Sequence, residues 1–197
     1  MKNIIEKSID NSKSYNEYRT LVSELLTQNK STGPNQSEAL TQFSALNNKR
    51  MQRLDKTLKT PEFISEKIDT IKHKRTFLLL AEGWCGDAAQ LTPIINHVTE
   101  KSENLELKIV LRDENEELMN EFLTNGGKSI PKLIILDENN NVINTWGPRP
   151  SAAAKLVSDY KKEHGVIDAE IKKNLQLWYN KDKGVSTMTE LMDLVSE

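Results

Sequence analysis

Residues 76–93 read Thr-Phe-Leu-Leu-Leu-Ala-Glu-Gly-Trp-Cys-Gly-Asp-Ala-Ala-Gln-Leu-Thr-Pro, and this stretch decides the fold. It begins with a short apolar run, which predicts a strand covered on both faces, and a helical pattern follows directly after a turn. The turn holds Cys85, the single cysteine of the chain. A thiol at the start of a helix faces free backbone N–H groups and the positive end of the helix dipole, which stabilise a thiolate. Cys85 is therefore the first candidate for a reactive group.

Composition narrows the classes of function. The chain has 197 residues with 29 acids against 27 bases, a formal net charge of −2, and no basic block that would attract nucleic acid. No segment approaches the roughly 20 apolar residues that cross a bilayer, and the start lacks a signal-peptide pattern. One cysteine excludes an internal disulfide. We therefore expect a cytoplasmic protein in a reducing setting, without nucleic-acid or membrane partners.

Residues 1–75 form a predicted N-terminal helical extension. Apolar spacing from Tyr15 to Leu26 predicts an amphipathic helix, and residues 31–35 read as a loop. Ser37 is expected to cap a second helix, bent or interrupted by the polar run 47–50. Its predicted apolar stripe consists of Leu40, Phe43, Leu46, Met51, Leu54 and Leu58. A third helix is expected to start with Thr60 as its cap and to bury Phe63, Ile64, Ile68 and Ile71. This extension shows no catalytic grouping, so its charges are interpreted as solvated helix faces.

From residue 76 to 162 the elements follow the order strand, helix, strand, helix, strand, strand, helix. The helices are predicted over 86–100, 113–124 and 151–162, the last capped by Ser151, and the strands near 77–80, 105–112, 132–136 and 142–146. Strand–helix–strand units imply parallel pairing, and the closing hairpin adds antiparallel strands. The predicted fold class is α/β, with a mixed central sheet and helices on both faces. Residues 163–197 are predicted as a C-terminal helical extension.

This order, with Trp84-Cys85-Gly86-Asp87-Ala88 at the first strand-to-helix turn, resembles the thioredoxin fold. The motif overlies the thioredoxin signature Trp-Cys-Gly-Pro-Cys. Pro93 lies eight residues past Cys85, where thioredoxins carry the proline that kinks the active-site helix. Pro131 lies 46 residues past Cys85 and matches the family's cis-proline, and Gly147 matches a glycine after the hairpin. The resemblance covers about 87 residues, from Thr76 to Lys162.

Two departures from the thioredoxin pattern limit the implied chemistry. Ala88 replaces the second cysteine, so no resolving thiol exists within the chain. The buried acid that thioredoxins carry in the preceding strand is matched here by Leu78 or Leu79, which removes the expected proton acceptor. A two-thiol reductase mechanism within one chain is excluded. This single-cysteine form resembles a thioredoxin-like family found in bacteria.

The resemblance implies a monothiol site with Cys85 as the nucleophile. A single thiol attacks a disulfide and forms a mixed disulfide, which an external thiol resolves; the expected substrate is a protein disulfide or a low-molecular-weight thiol in its disulfide form. Trp84 and Gly86 belong to the predicted contact surface, Ile130 and Pro131 present backbone to the partner if their peptide bond is cis, and Arg149 favours the thiolate or an anionic thiol. Asp87 and Glu82 oppose the thiolate, so the direction of the Cys85 pKa shift stays open. No metal-ligand spacing and no cofactor motif occurs.

Each candidate residue also has a plain structural interpretation. Cys85 can be a small buried hydrophobe, and Trp84 can simply pack. Pro131 can be an ordinary trans proline, Asp87 an acid at a helix start, and Arg149 a surface arginine. The whole protein can equally be a binding module or adaptor without turnover, which uses the cis-proline face. The flanking helices can pack on the sheet, roof the site, or form the face of a homodimer; the sequence leaves these open.

Overall fold

The structure, a computed structural model, describes residues 1–195 and contains one four-stranded sheet. Its strands are β1 (Arg75–Ala81), β2 (Leu105–Leu111), β3 (Lys132–Leu136) and β4 (Val142–Trp146), in the spatial order β2-β1-β3-β4. β1 pairs with β2 in parallel, whereas the β1–β3 and β3–β4 pairs are antiparallel. The predicted mixed sheet is confirmed.

Helices cover both faces of this sheet. They are α1 (Lys2–Asp10), α2 (Tyr15–Thr27), α3 (Glu38–Thr57), α4 (Glu62–Asp69), α5 (Gly86–Thr99), α6 (Glu116–Glu121), α7 (Ser151–His164), α8 (Ala169–Asp182) and α9 (Val185–Val195). Because strand side chains alternate between faces, Phe77 and Leu79 enter the larger core, while Leu78 and Leu80 enter the smaller one. α1 and α6 cover the smaller core, and most of the other helices contribute to the larger one. The two extensions therefore pack on the sheet.

The helix α3 corrects two predictions from the sequence. It runs without interruption through residues 47–50. Its buried face contains Ser44, Asn47, Met51 and Leu54, whereas Phe43 and Leu46 are exposed. Apolar spacing misplaced this face because two of the inward positions are polar and find hydrogen-bond partners inside the protein.

Two other predicted helix starts and one predicted buried residue were wrong. Pro61, rather than Thr60, is the N-cap of α4, and the Thr60 hydroxyl is hydrogen-bonded to His97 Nε2 at 2.8 Å. Phe63 in that helix is exposed. Pro150 precedes α7, and the Ser151 N–H donates to the carboxylate of Glu190 in α9, which satisfies the helix start from outside.

The helix predicted over 113–124 shrinks to α6, after a 3₁₀ turn at Arg112–Glu114. Its six residues span only about 9 Å. A helix this short does not carry the chain back to the end of the sheet where β1 and β2 begin. β3 therefore starts at the end where β2 stops and runs antiparallel to β1, where the strand–helix–strand order predicted parallel pairing. Among residues 1–195, no helix combines the length and apolar character needed to span a membrane.

Candidate functional site

Cys85 lies between β1 and α5, as the N-cap of α5, with a half-buried side chain. The Ala88 N–H donates a hydrogen bond to Cys85 Sγ at 3.4 Å. The thiol in turn donates to the Ile130 carbonyl oxygen at 3.4 Å. The Ile130–Pro131 peptide bond is cis. The structure thus brings the thiol against the backbone that precedes β3, as the order of the elements requires.

Asp87 occupies the first turn of α5 and is buried. Its Oδ2 forms an ion pair with Arg149 Nη2 at 2.6 Å, and its Oδ1 accepts a hydrogen bond from the Tyr179 hydroxyl at 2.9 Å. The interpretation of Arg149 as a surface residue is therefore wrong, because its guanidinium lies half-buried beside Asp87. We call these three residues the Asp87 cluster. It ties the first turn of α5 to the loop after β4 and to α8.

The surroundings of Cys85 settle the direction of its pKa shift. Burial raises the pKa of Cys85 to about 12, and the negative charge of Asp87 adds to the rise. The N–H groups of Ala88 and Asp87 and the guanidinium of Arg149 lower it, but they do not offset burial. The thiol is therefore protonated at neutral pH, in keeping with its role as a donor to Ile130.

Glu82 is a buried acid close to Cys85. The comparison with thioredoxins placed the expected acid within the strand, at Leu78 or Leu79. Glu82 follows β1 directly and is completely buried. Its carboxylate accepts hydrogen bonds from the Thr32 hydroxyl and from the Asp113 N–H. Burial raises the pKa of Glu82 to about 7, against the effect of these two donors. An acid is therefore present next to the motif, after the strand instead of within it.

The N-terminal extension holds the turn that leads to Cys85. Asn47 of α3 donates to the Gly83 carbonyl oxygen at 2.9 Å, and the Gly83 N–H donates to the Thr32 hydroxyl at 2.8 Å. A Cβ at Gly83 would lie 3.3 Å from Val22 Cγ2, so this turn is closely packed. Gly83 is thus fixed by contacts to residues outside the sheet.

The rim of the site is formed by Trp84, Arg112 and Ile130. Trp84 is half-buried, and the Arg112 guanidinium lies 4.8 Å from the centre of its ring, in cation–π range. Gly147 approaches from β4 with φ +106°, and a Cβ there would lie 2.4 Å from the Pro131 carbonyl oxygen. Only glycine allows this approach of the hairpin to Pro131.

The C-terminal extension covers the other side of the motif. Gln90 of α5 donates to Gln176 of α8 at 2.8 Å. A Cβ at Gly86 would lie 3.5 Å from Arg50 Nη1 and 3.9 Å from Gln176 Nε2, so both extensions reach this glycine. All predicted site residues thus lie in or around one turn, with Trp84 and Ile130 on its rim and Asp87 and Arg149 behind it.

Sequence reasoning missed the residues that the extensions contribute. Asn47 could have been found from its spacing, since it lies one turn before the buried Met51 on α3. Tyr179 follows Ile171 and Leu175 at four-residue spacing, which predicts the same helix face. Thr32 carries no such signal, because it lies in a loop. Among residues 1–195, no three His, Cys, Asp or Glu side chains form a group that could hold a metal ion.

Comparisons with known proteins agree with this arrangement. A thioredoxin family model matches residues 33–161, more than half of the chain. No curated protein gives a significant match. At 15% identity and a TM-score of 0.62, the chain is similar to the crystal structure of a Pseudomonas aeruginosa protein of unknown function, over 95% of this chain and 94% of that one. An HIV epitope scaffold is similar over 93% of this chain and 98% of its own, with 18% identity and a TM-score of 0.60. These two likenesses show the fold, and the family match shows that the chain belongs to the thioredoxin family.

Proposed function

We propose that this protein exchanges thiols and disulfides through Cys85. The observation that carries the proposal is the placement of a half-buried sulfur at the start of α5, against the backbone of Ile130. The Cys85 thiolate attacks one sulfur of a partner disulfide, which forms the mixed disulfide and releases the other sulfur as a thiolate. An external thiolate then attacks the mixed disulfide, which returns Cys85 and leaves the partner joined to the incoming thiol.

Resolution requires an external thiol because Ala88 stands where a second cysteine would act. The partner is a protein disulfide or a low-molecular-weight thiol in its disulfide form. A reducing cytoplasm, the setting proposed from the single cysteine, supplies such thiols. We also propose that the protein is bacterial and that it can form a homodimer. The exchange reaction requires neither.

The raised pKa of Cys85 makes this exchange slow at neutral pH and faster as the pH rises. Only the thiolate is nucleophilic, and burial keeps the Cys85 pKa near 12. The Arg149 guanidinium, paired with Asp87, is a positive charge that favours the thiolate. A partner that displaces water from the rim changes the burial of the sulfur and therefore also shifts the Cys85 pKa.

The same raised pKa favours a second function, a binding module without turnover. In that case the Trp84–Arg112 pair and Ile130 contact a partner, and Cys85 stays a protonated donor to the Ile130 oxygen. Mixed-disulfide chemistry and simple binding differ in one measurable property, the reaction of the thiol in the folded state.

The deciding experiment incubates the folded protein with glutathione disulfide between pH 7 and 10 and follows the intact mass. We expect one glutathionyl group on Cys85, at a rate that rises with pH, and its removal by added glutathione. Cys85→Ser is the matched control, which we expect to form no adduct and to keep nearly unchanged stability. A thiol that reacts only after urea denaturation refutes the exchange proposal and leaves the binding module.

A further inference from the structure

A cavity of about 520 Å³ opens behind the thiol site, between the end of α3, the loop to α4 and the junction of α8 with α9. This volume lies within the range of small-molecule sites, about 300–1,000 Å³. Its apolar lining comes from Leu54, Leu58, Pro61 and Val185. None of these residues belongs to the thioredoxin motif, and the cavity has no part in the exchange proposed above.

The charges around this cavity have one sign. Arg53, Lys59 and Lys183 line it, and no acidic residue does. Within residues 1–195, none of these three cations forms an ion pair with a carboxylate. Of the acids close to them in sequence, Asp55 pairs with Arg19, Asp182 accepts a hydrogen bond from Ser186 at the start of α9, and Glu62 does not line the cavity. The lining therefore combines an apolar floor with a net positive rim.

We propose that this cavity binds a small amphipathic anion, a molecule with a carboxylate or phosphate head and a short apolar chain. The chain lies on Leu54, Leu58 and Val185, and the head group is held by Lys59 and Lys183. Charge complementarity selects the anion, because a buried apolar chain alone does not distinguish it from a neutral alcohol. Tyr179 forms one wall of the cavity and donates its hydroxyl to Asp87, so the site borders the Asp87 cluster.

Calorimetry with four probes tests this inference on the full chain: octanoate, octyl phosphate, 1-octanol and inorganic phosphate. We expect octanoate or octyl phosphate to bind, and which of them binds more tightly identifies the head group. Both 1-octanol and inorganic phosphate should bind at least about tenfold more weakly, since each lacks one half of the recognition. Equal affinity for 1-octanol, or no binding of any probe, overturns the proposal.

Two charge-reversal variants locate the site. Lys59→Glu combined with Lys183→Glu should weaken binding of the anionic probe by about tenfold or more, because two attractive contacts become repulsive. The matched control, Lys172→Glu with Lys173→Glu, changes the same net charge at exposed positions of α8 that do not line the cavity. We expect the control to bind like the unaltered protein. Amide chemical-shift changes at Lys183 and Val185 give an independent reading of the location, and equal loss in both variants overturns it.

Discussion

Substitution of Asp87 is the most direct way to alter the reactivity of Cys85. In the Asp87 cluster the carboxylate is held by Arg149 at 2.6 Å and by the Tyr179 hydroxyl at 2.9 Å. Asp87→Asn removes a negative charge that raises the Cys85 pKa and, at the same time, frees the Arg149 charge that lowers it. The amide oxygen still accepts from Tyr179, so the side chain keeps its place. We expect the pKa of Cys85 to fall.

The size of this effect follows from charge interactions at short range. Removing a nearby like charge and uncovering an opposite one lowers a pKa by about 1–2 units. Each unit raises the thiolate fraction about tenfold, while the lower basicity reduces the nucleophilicity of each thiolate by about threefold. The net gain is about threefold per unit. Alkylation of Cys85 by iodoacetamide at pH 8 should therefore accelerate about three- to tenfold.

The assay follows the alkylation rate and the thiolate absorbance of the folded protein from pH 6 to 11, with Cys85→Ser as the baseline. Asp159→Asn is the matched control, because it removes the same charge from an exposed ion pair with Lys155 on α7. Because the Cys85 midpoint of the unaltered protein lies above this pH range, the variants are compared by rate and absorbance at each pH. We expect the control to match the unaltered protein. An Asp87→Asn alkylation rate at pH 8 equal to that of the unaltered protein, with the fold intact, refutes the assignment of Asp87 as a source of the raised pKa.

Three further substitutions test the buried contacts around the motif by urea unfolding. Burial raises the Glu82 pKa from its ordinary 4.5 to about 7. The stability that protonated Glu82 provides is therefore complete below pH 4.5 and lost as the pH rises through 7. Relative to Glu82→Gln, the free energy of unfolding should fall by about 3 kcal/mol from pH 4.5 to 8, and a pH-independent difference contradicts this. Tyr179→Phe removes a buried donor to Asp87 and should cost about 1.5–3 kcal/mol; a loss below that range, measured at pH 7, means that the carboxylate finds another donor. Asn47→Ala leaves the Gly83 carbonyl without its donor and should cost about 1–3 kcal/mol, whereas the exposed Gln52→Ala on the same helix should be nearly neutral.

The sequence was sufficient to locate the strands, though not the antiparallel direction of β3, because the strands are buried on both faces or alternate in a simple way. The continuous apolar run before Cys85 and the alternation from Leu105 to Leu111 follow directly from those two environments. The strands at 132–136 and 142–146 have the predicted bounds. Each strand can therefore be identified from the pattern of its own residues.

The electrostatics of the site could not be predicted from local sequence patterns because they depend on residues that are far apart in the sequence. Asp87 and Tyr179 are 92 residues apart, and Thr32 and Glu82 are 50 residues apart. The N–H groups at the start of α5 are local and argue for a low Cys85 pKa, whereas burial by the surrounding elements argues for a high one and dominates. The polar inward face of α3 shows the same limit, since Asn47 faces the core only because the Gly83 carbonyl oxygen is there.

The Asp87 cluster also sets an order on the biosynthesis of the site. The ribosome delivers Cys85 and Asp87 first, Arg149 much later, and Tyr179 later still. Because α7, α8 and α9 pack in the same core as the sheet, the carboxylate has its full set of partners only after these helices have been made. Until α8 emerges, Gln90 lacks its partner Gln176, and Asp87 lacks the Tyr179 hydroxyl. The complete surroundings of the Cys85 thiol are thus a feature that newly made chains acquire late.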